Sequence, residues 1–345
     1  MNEAQESPRM RATARMVAER AEVSRVAVSR AFNPEAPLRA DKRERILRIA
    51  AELNYTPDRA ARALVSGRSH RVGLIVPDAC SPWESREIDA LTTALQHEGF
   101  ATLLFKTRTD LSMDATLLAY MRGFNPDSVI AFVENVTPEI LTRSLGRAVP
   151  IYVHYSNGPE SEPPDQPLHD RLNVLTRPGI EQAAALLAGF GARRMAYLSG
   201  NPRSLANQTR EMIFRESLDR LGLPPPDIIT GDYSYDTAHE ATVAAFRDGR
   251  RYDAIFAAND LGAFGAMDAL RHELGLRVPG DIGIIGFDDI PQARWKSYDL
   301  TTVRLDLGQR VRALIRLILR RLSDPGAAAL QETLQTSLVV RGSVA

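Results

Sequence analysis

The stretch TARMVAERAEVSRVAVSRAFN, residues 13–33, decides how the chain begins to fold. Met16, Val17 and Ala21 have the apolar spacing of a short amphipathic helix from Arg15 to Ala21. Thr13 can cap it, because its hydroxyl accepts a free backbone N–H. After Glu22-Val23, Ser24 can cap a second helix to about Phe32, with Val28 and Ala31 held against the first and Val23 buried in the turn. Two helices joined this tightly make a helix-turn-helix, and the second presents Arg25, Val26, Ser29 and Arg30 outward. Asn33 opens a proline-containing loop to Arg39. A third helix is expected from Asp41 to Asn54, with Ile46, Leu47, Ile49, Ala50 and Leu53 inward. So small a domain either binds nucleic acid or, as an ordinary bundle, contacts protein.

The charge distribution suits the first reading, and suits a solvated basic face without a partner as well. The chain is neutral overall, yet residues 9–71 hold 15 Lys and Arg against 7 Asp and Glu, an excess of +8. A basic head on a body acidic on balance is the electrostatic footprint of a nucleic-acid module joined to something else. After Tyr55-Thr56-Pro57, Asp58 can cap a helix of barely two turns that contains Arg62 and Leu64 and runs into Ser66-Gly67-Arg68-Ser69-His70. A helix that short is marginal alone in water and needs a partner, its own copy or DNA. Leu64 has the character of an apolar wedge entering between base steps from the minor groove.

From Arg71 the pattern changes. Val72-Gly73-Leu74-Ile75-Val76 is a continuous apolar run, as a strand buried on both faces should be, and a helix follows from about Glu84 to Glu98. Further strands are expected at 101–105, 128–133, 151–154, 194–198, 254–257 and 282–287, most of them separated by helices, with an irregular loop over 157–170. This is a doubly wound α/β arrangement.

The order of residues resembles the LacI/GalR family of regulators. In the head the match lies in Val17-Ala18-Glu19, Ala21, Val23-Ser24, Val28-Ser29-Arg30 and Asn33, then Leu53-Asn54-Tyr55-Thr56-Pro57 and Ala61-Arg62-Ala63-Leu64. In the body it is densest at Phe256-Ala257-Ala258-Asn259-Asp260, Gly275-Leu276-Arg277-Val278-Pro279-Gly280-Asp281, Gly286-Phe287-Asp288-Asp289 and Leu300-Thr301-Thr302-Val303. The resemblance implies an all-α helix-turn-helix domain at 1–57, a hinge helix and linker at 58–70, and a two-lobed, periplasmic-binding-protein-like effector domain at 71–345. Lobe 1 is expected at about 71–171 and 303–325, lobe 2 at about 172–302 and 326–345. It further implies a pseudo-palindromic double-stranded operator read by Thr13, Ser24, Arg25, Val26, Ser29, Arg30, Asn33, Arg62 and Leu64, and a regulator, expectedly a repressor, working as a homodimer. The family's tetramers add a leucine heptad after Arg341-Gly342-Ser343, and this chain runs only to Ala345.

Ligands of such folds bind beyond the C-terminal ends of the parallel strands. Asn259 and Asp288 each follow a strand and offer an amide and a carboxylate suited to vicinal hydroxyls. By the resemblance, Arg210, Trp83 and Tyr233 are an effector-contacting cation and two aromatic walls. Glu84 and Tyr155 stand where other residue types are usual, as do Leu175, Glu22 and Ala27. An atypical effector is expected, a sugar, sugar acid or sugar phosphate. Glu22 replaces a turn glycine and must take a helical geometry or accept strain, and Ala27 lacks the usual hydroxyl and so a DNA contact. The plainer alternatives, which their joint placement around one cleft disfavours, are helix caps for Asn259 and Asp288, a surface ion-pair partner for Arg210 and core for Trp83.

A solute-binding protein for transport is disfavoured by the basic head and by the polar Met1 to Arg11, which lacks the core of a secretion signal. A sugar-processing enzyme is disfavoured because no nucleophile–base pair, metal-ligand cluster or phosphate loop emerges from the six scattered histidines and the loops. No cofactor and no metal is expected. Cys80 alone forms no internal disulfide, and no apolar run approaches the ~20 residues of a membrane span, so a cytoplasmic protein without membrane contact is expected.

Overall fold

Contacts divide the chain between His70 and Arg71 into two units. They are seen in a computed structural model that describes residues 12–33, 36–57, 67–77, 81–107, 115–132, 140–141, 145, 151–153 and 170–344. The expected hinge helix with Arg62 and Leu64, the loop over 157–169, Cys80 and Tyr155 lie outside the described residues.

In the first unit, α1 (Ala14–Arg20), α2 (Arg25–Ala31) and α3 (Ala40–Glu52) enclose a small core. Val17, Ala18 and Ala21 from α1 and its cap, Ala27, Val28 and Ala31 from α2, and Ile46, Ile49 and Ala50 from α3 form that core. Thr13 and Ser24 cap α1 and α2 by accepting from Met16 N and Ala27 N. The turn between the helices puts Glu22 at φ 51°, in the left-handed region. The strained alternative is therefore the one adopted. A Cβ residue there costs about 1–2 kcal/mol, part of which glycine would return through its larger unfolded-state entropy.

The second unit holds two parallel sheets. One has the order β2-β1-β3-β4, from β1 (Arg71–Pro77), β2 (Ala101–Thr107), β3 (Ser128–Ala131) and β4 (Ile151–Val153), with helices α4 (Pro82–His97) and α5 (Ala115–Gly123). Next come β5 (Arg171–Leu175), α6 (Arg177–Gly189), β6 (Met195–Ser199), α7 (Leu205–Arg220), β7 (Asp227–Thr230), α8 (Tyr235–Arg247) and β8 (Ala254–Ala257). They are followed by α9 (Asp260–Asp268), β9 (Gly283–Phe287), β10 (Thr301–Arg304), α10 (Leu307–Ser323), β11 (Gln331–Gln335) and β12 (Ser337–Val339). The second sheet has the order β12-β10-β9-β8-β6-β7, and only β12 runs antiparallel in it. β10 stays in this sheet through Arg304, and α10 follows from Leu307 in the first lobe. There α10 packs Val311, Leu314, Leu317 and Ile318 against Val72 and Leu74 of β1 and Leu91 and Leu95 of α4.

β5 and β11 pair in parallel along the passage between lobes, in register from Arg171–Gln331 to Leu175–Gln335. Each end of this ribbon is tied. At one, buried Asp170 accepts from Arg321 (2.8 and 2.9 Å) and from Leu330 N (2.7 Å). At the other, Thr336 Oγ1 donates toward Thr176 O (3.0 Å) and accepts from Gly179 N (3.2 Å). The Arg321 guanidinium helps hold the Asp170 carboxyl below its usual range even though burial opposes this.

Inside the first lobe, Arg310 of α10 meets Glu87 of α4 through its Nε, and both side chains are essentially inaccessible to solvent. Removing one partner of such a pair leaves a buried charge uncompensated and costs about 3–5 kcal/mol. Arg310→Ala is expected to lose stability of that size by urea denaturation, while Glu22→Gly should stabilise the head by about 0.5–1 kcal/mol, seen as slower amide exchange at Val17 and Val28.

Candidate functional site

The head presents one uniform outer face. Arg25, Val26, Ser29 and Arg30 are exposed along α2, and Asn33 is exposed just beyond it. Val26 is 59% exposed, which nothing in the packing of so small a core requires. An apolar group beside cations and a hydroxyl suits a groove that offers thymine methyls, acceptors and phosphates together. Ala27 lies on the opposite face in the core, so its missing hydroxyl bears first on the packing of α2 and not on this outer row. Thr13 and Ser24 are exposed at the two helix N-termini, with their oxygens engaged in the caps.

The second candidate site is built where the second sheet's strands end. β6 leads to Gly200 and then α7, β7 to Tyr233, β8 to Asn259 and β9 to Asp288. Asn259 caps α9, with Oδ1 accepting from Gly262 N (2.9 Å), and its Nδ2 donates to Tyr233 O (3.0 Å). The cap alternative is thus realised. Its second bond fixes the neighbouring loop, where Asp232 (φ 49°) and Tyr233 (φ 59°) are both left-handed. The Tyr233 ring lies so close over Gly200 that a Cβ there would collide with it, and its hydroxyl reaches Ser204 Oγ (3.3 Å), the cap of α7.

Arg210 stands on α7. Its Nη1 donates to Ala258 O (2.5 Å), its guanidinium carbon lies 3.7 Å above the centre of the Phe287 ring, and its Nε is buried with no hydrogen-bond partner among the described residues. It is not a surface ion-pair residue. Asp288 is half-buried at φ 118°, followed by Asp289 at φ 52°. Consecutive non-glycine residues in such conformations persist only where surrounding structure enforces them, and they cluster at functional sites.

From the other lobe, Trp83 in the first turn of α4 packs against the core cluster that includes Ala257, Ala263, Ile290 and Leu300. Glu84 completes a capping box with Ser81, accepting from Ser81 N (2.7 Å). Arg86 Nη1 donates to Asp289 O (3.3 Å). Burial pushes the Asp288 carboxyl up to about 7; Arg210 opposes the rise and Glu84 adds to it. Charges on α4 and α7 therefore act on one carboxyl. Leu175 closes β5 beside the Thr336 tie and is not gathered into this group.

Several members were not foreseen. Asp260, fully buried and directly after Asn259 in the chain, accepts from Thr302 Oγ1 (2.5 Å) and Ile290 N (2.8 Å). Asp289 binds Arg341 (2.5 Å), and Arg86 joins the lobes. In the sequence Asp260 and Asp289 stand directly beside the named residues, a signal that adjacency alone carried; Arg86 and Arg341 carried none.

A basic three-helix head and a two-lobed α/β body with a polar site between the strand ends define a DNA-binding transcription regulator with a sensor domain. Residues 15–58 match the model of the bacterial regulatory proteins of the lacI family, and residues 184–344 match a periplasmic binding protein-like domain. The chain is 30% identical to the HTH-type transcriptional regulator CelR of Thermobifida fusca, over 97% of this chain and 99% of that one. It is 27% identical to the HTH-type transcriptional repressor PurR of Vibrio parahaemolyticus serotype O3:K6, over 96% and 98%. The fold matches the lac repressor dimer bound to operator and the anti-inducer ONPF (TM-score 0.83, 24% identity, 97% and 99% covered) and a CelR–cellobiose complex (TM-score 0.67, 27%, 96% and 100%). The chain belongs to the lacI family of bacterial transcription regulators.

A pH effect follows from Asp288. Its carboxyl binds a proton more tightly folded (about 7) than unfolded (3.8), so its contribution to stability is full below about 4 and lost as pH rises through 7. The ligand-free melting temperature should therefore fall from pH 5 to pH 8 more steeply in the native protein than in Asp288→Asn, measured by calorimetry.

Proposed function

We propose that this protein is a homodimeric, cytoplasmic repressor without catalytic activity, which controls carbohydrate-related genes and responds to a neutral, hydroxyl-rich sugar held between its lobes. The dimer matches the two-fold symmetry of a palindromic operator, and a related lac repressor occurs as a dimer on its operator. No helix among the described residues is long and apolar enough to cross a membrane, and none of them form a cluster of His, Cys, Asp and Glu able to hold a metal. The outer row Arg25, Val26, Ser29, Arg30 and Asn33, with Thr13 and Ser24 at the helix starts and Arg62 and Leu64 of the hinge, contacts the operator. Trp83, Glu84, Tyr155, Arg210, Tyr233, Asn259 and Asp288 surround the effector.

The observation that carries the effector reading is that Arg210, laid over Phe287 and bonded to Ala258 O, and Trp83, packed on the neighbouring cluster, meet at the strand ends that carry Asn259 and Asp288. Above pH 7, where Asp288 is ionised, it and Glu84 face the Arg210 cation, which already serves Ala258 O and the Phe287 ring. An anionic ligand would meet net repulsion. A neutral polyol can donate hydroxyls to the carboxyls and stack a ring face on Trp83. A related CelR is known in complex with cellobiose, and other family members with ribose, which agrees with this class.

Ligand binding then biases two arrangements of the lobes, and with them the operator affinity of the dimer. Thermal shift and gel shift across neutral sugars, sugar acids, sugar phosphates and purines test this. A neutral sugar should raise the melting temperature and change operator affinity. Asp288→Asn should weaken that ligand about 10- to 100-fold, the loss of a hydrogen bond to a charged acceptor, with operator binding intact. Stabilisation by purines or sugar phosphates alone, or an unaltered response of Asp288→Asn, would refute the assignment.

A further inference from the structure

The recognition helix is held from behind by a residue that the outer face does not show. α2 has seven residues, too few to be stable alone, and its C-terminal end has no glycine cap: Phe32 occupies that position at φ −87°. Helix ends leave several backbone carbonyls without intrahelical partners. In this head α3 adds donors to those of the local turn, in which Asn33 N donates to Arg30 O and Ala36 N to Asn33 O (3.1 Å each). Arg43 Nη1 donates to the carbonyls of Arg30 (3.0 Å), Ala31 (2.9 Å) and Asn33 (2.7 Å), and its Nη2 donates to Ala36 O (2.7 Å). One guanidinium thus spans the last turn of α2 and the start of the following loop. Its charge also sits at the negative end of the α2 dipole. Two residues later on α3, Arg45 Nη2 donates to Ala21 O (2.8 Å) and closes α1 in the same manner.

The bonded carbonyls belong to residues of the outer face. Arg30 and Asn33 offer exposed side chains to the operator while Arg43 holds their backbones. We propose that Arg43 is a positioning residue for operator recognition: it fixes the end of α2 so that Arg30 and Asn33 meet base edges in register, and it contacts no DNA itself. The proposal rests on the DNA-binding reading of the head. A planar fork is needed because the acceptors lie on two sides of the group, on α2 and at Ala36. Lysine, a point donor on a flexible stem, reaches one side only.

A phosphate contact and a positioning role separate in their salt dependence. Losing a phosphate contact weakens binding to all sequences and lowers the salt slope by about one. Losing a positioning residue weakens the operator alone, because random DNA demands no register. The test titrates full-length wild type, Arg43→Met, Arg43→Lys and Arg45→Met against a selected operator and a random duplex at several salt concentrations. Circular dichroism melting accompanies each variant.

Arg43→Met is expected to lose about 10-fold or more in operator affinity, with random-duplex affinity and salt slope unchanged and Arg43→Lys recovering part of the loss. Arg45→Met removes the donor that closes α1 and should spare the operator preference even where it lowers the melting temperature equally. Equal losses on both DNAs with a reduced salt slope would make Arg43 a phosphate contact and overturn the proposal. So would an unchanged operator preference, or the same selective loss in Arg45→Met at matched stability, which would reduce the effect to head stability. A wild type without operator preference would instead refute the DNA-binding reading beneath it.

Discussion

The buried carboxyl of Asp260 is the constraint on which the sensor site depends. It begins α9 directly after β8, accepts from Thr302 on β10 and takes the N–H of Ile290 beyond β9. Three strand ends are thereby bound to one side chain. A polar group removed from water must keep its hydrogen bonds, so their geometry cannot drift without exposing an unsatisfied carboxyl to an apolar surrounding. Gly286 passes so near that a Cβ would strike the carboxyl, which explains glycine in the middle of a buried strand. Burial, followed by the proximity of Asp288, pushes the Asp260 carboxyl well above its usual range. The strained backbone of Asp288 and Asp289 is tolerated because this bonding leaves no alternative path from β9 to Ile290.

The same logic of polar ties in apolar surroundings recurs at the passage between lobes. β5 and β11 form a ribbon of only two strands, which is marginal in isolation. Asp170 secures one end to α10, and Thr336 secures the other to the start of α6. Between them lie five paired residues on each strand. Bending can be taken up within this ribbon while its ends stay fixed to their own lobes. This is the arrangement a hinge requires if a ligand is to change the angle between two rigid bodies.

Much of this was legible in advance where one residue type admits one physical role. Thr13 and Ser24 read as caps because hydroxyls ahead of an apolar period satisfy free N–H groups, and both do so. Val72 to Val76 read as a doubly buried strand because nothing in it is polar. β7, with Asp227 at its start and three of its four residues exposed, escaped notice because an edge strand carries little apolar pattern. β11, Gln-Glu-Thr-Leu-Gln, escaped for a similar reason: its place is set by a distant partner, β5, and by no alternation of its own. Arg43 looked like one more cation in a basic head. Only the approach of α3 to the end of α2 shows that its charge is spent on backbone carbonyls.

By itself the sequence determined the helix-turn-helix, the alternating α/β body, the family and the strand-end location of Asn259 and Asp288, because local propensity, periodicity and capping are encoded within a few neighbouring residues. The tertiary structure decided what those residues do. It showed Asn259 bonded to the Tyr233 backbone, Arg210 laid over Phe287, Ala27 turned inward, and Glu84 and Arg210 acting on one Asp288 carboxyl. Glu84 and Asp288 stand 204 positions apart in the chain. Hydrogen bonds, ring contacts and the shift of a buried carboxyl depend on distance in space, which only the packing of the two lobes sets.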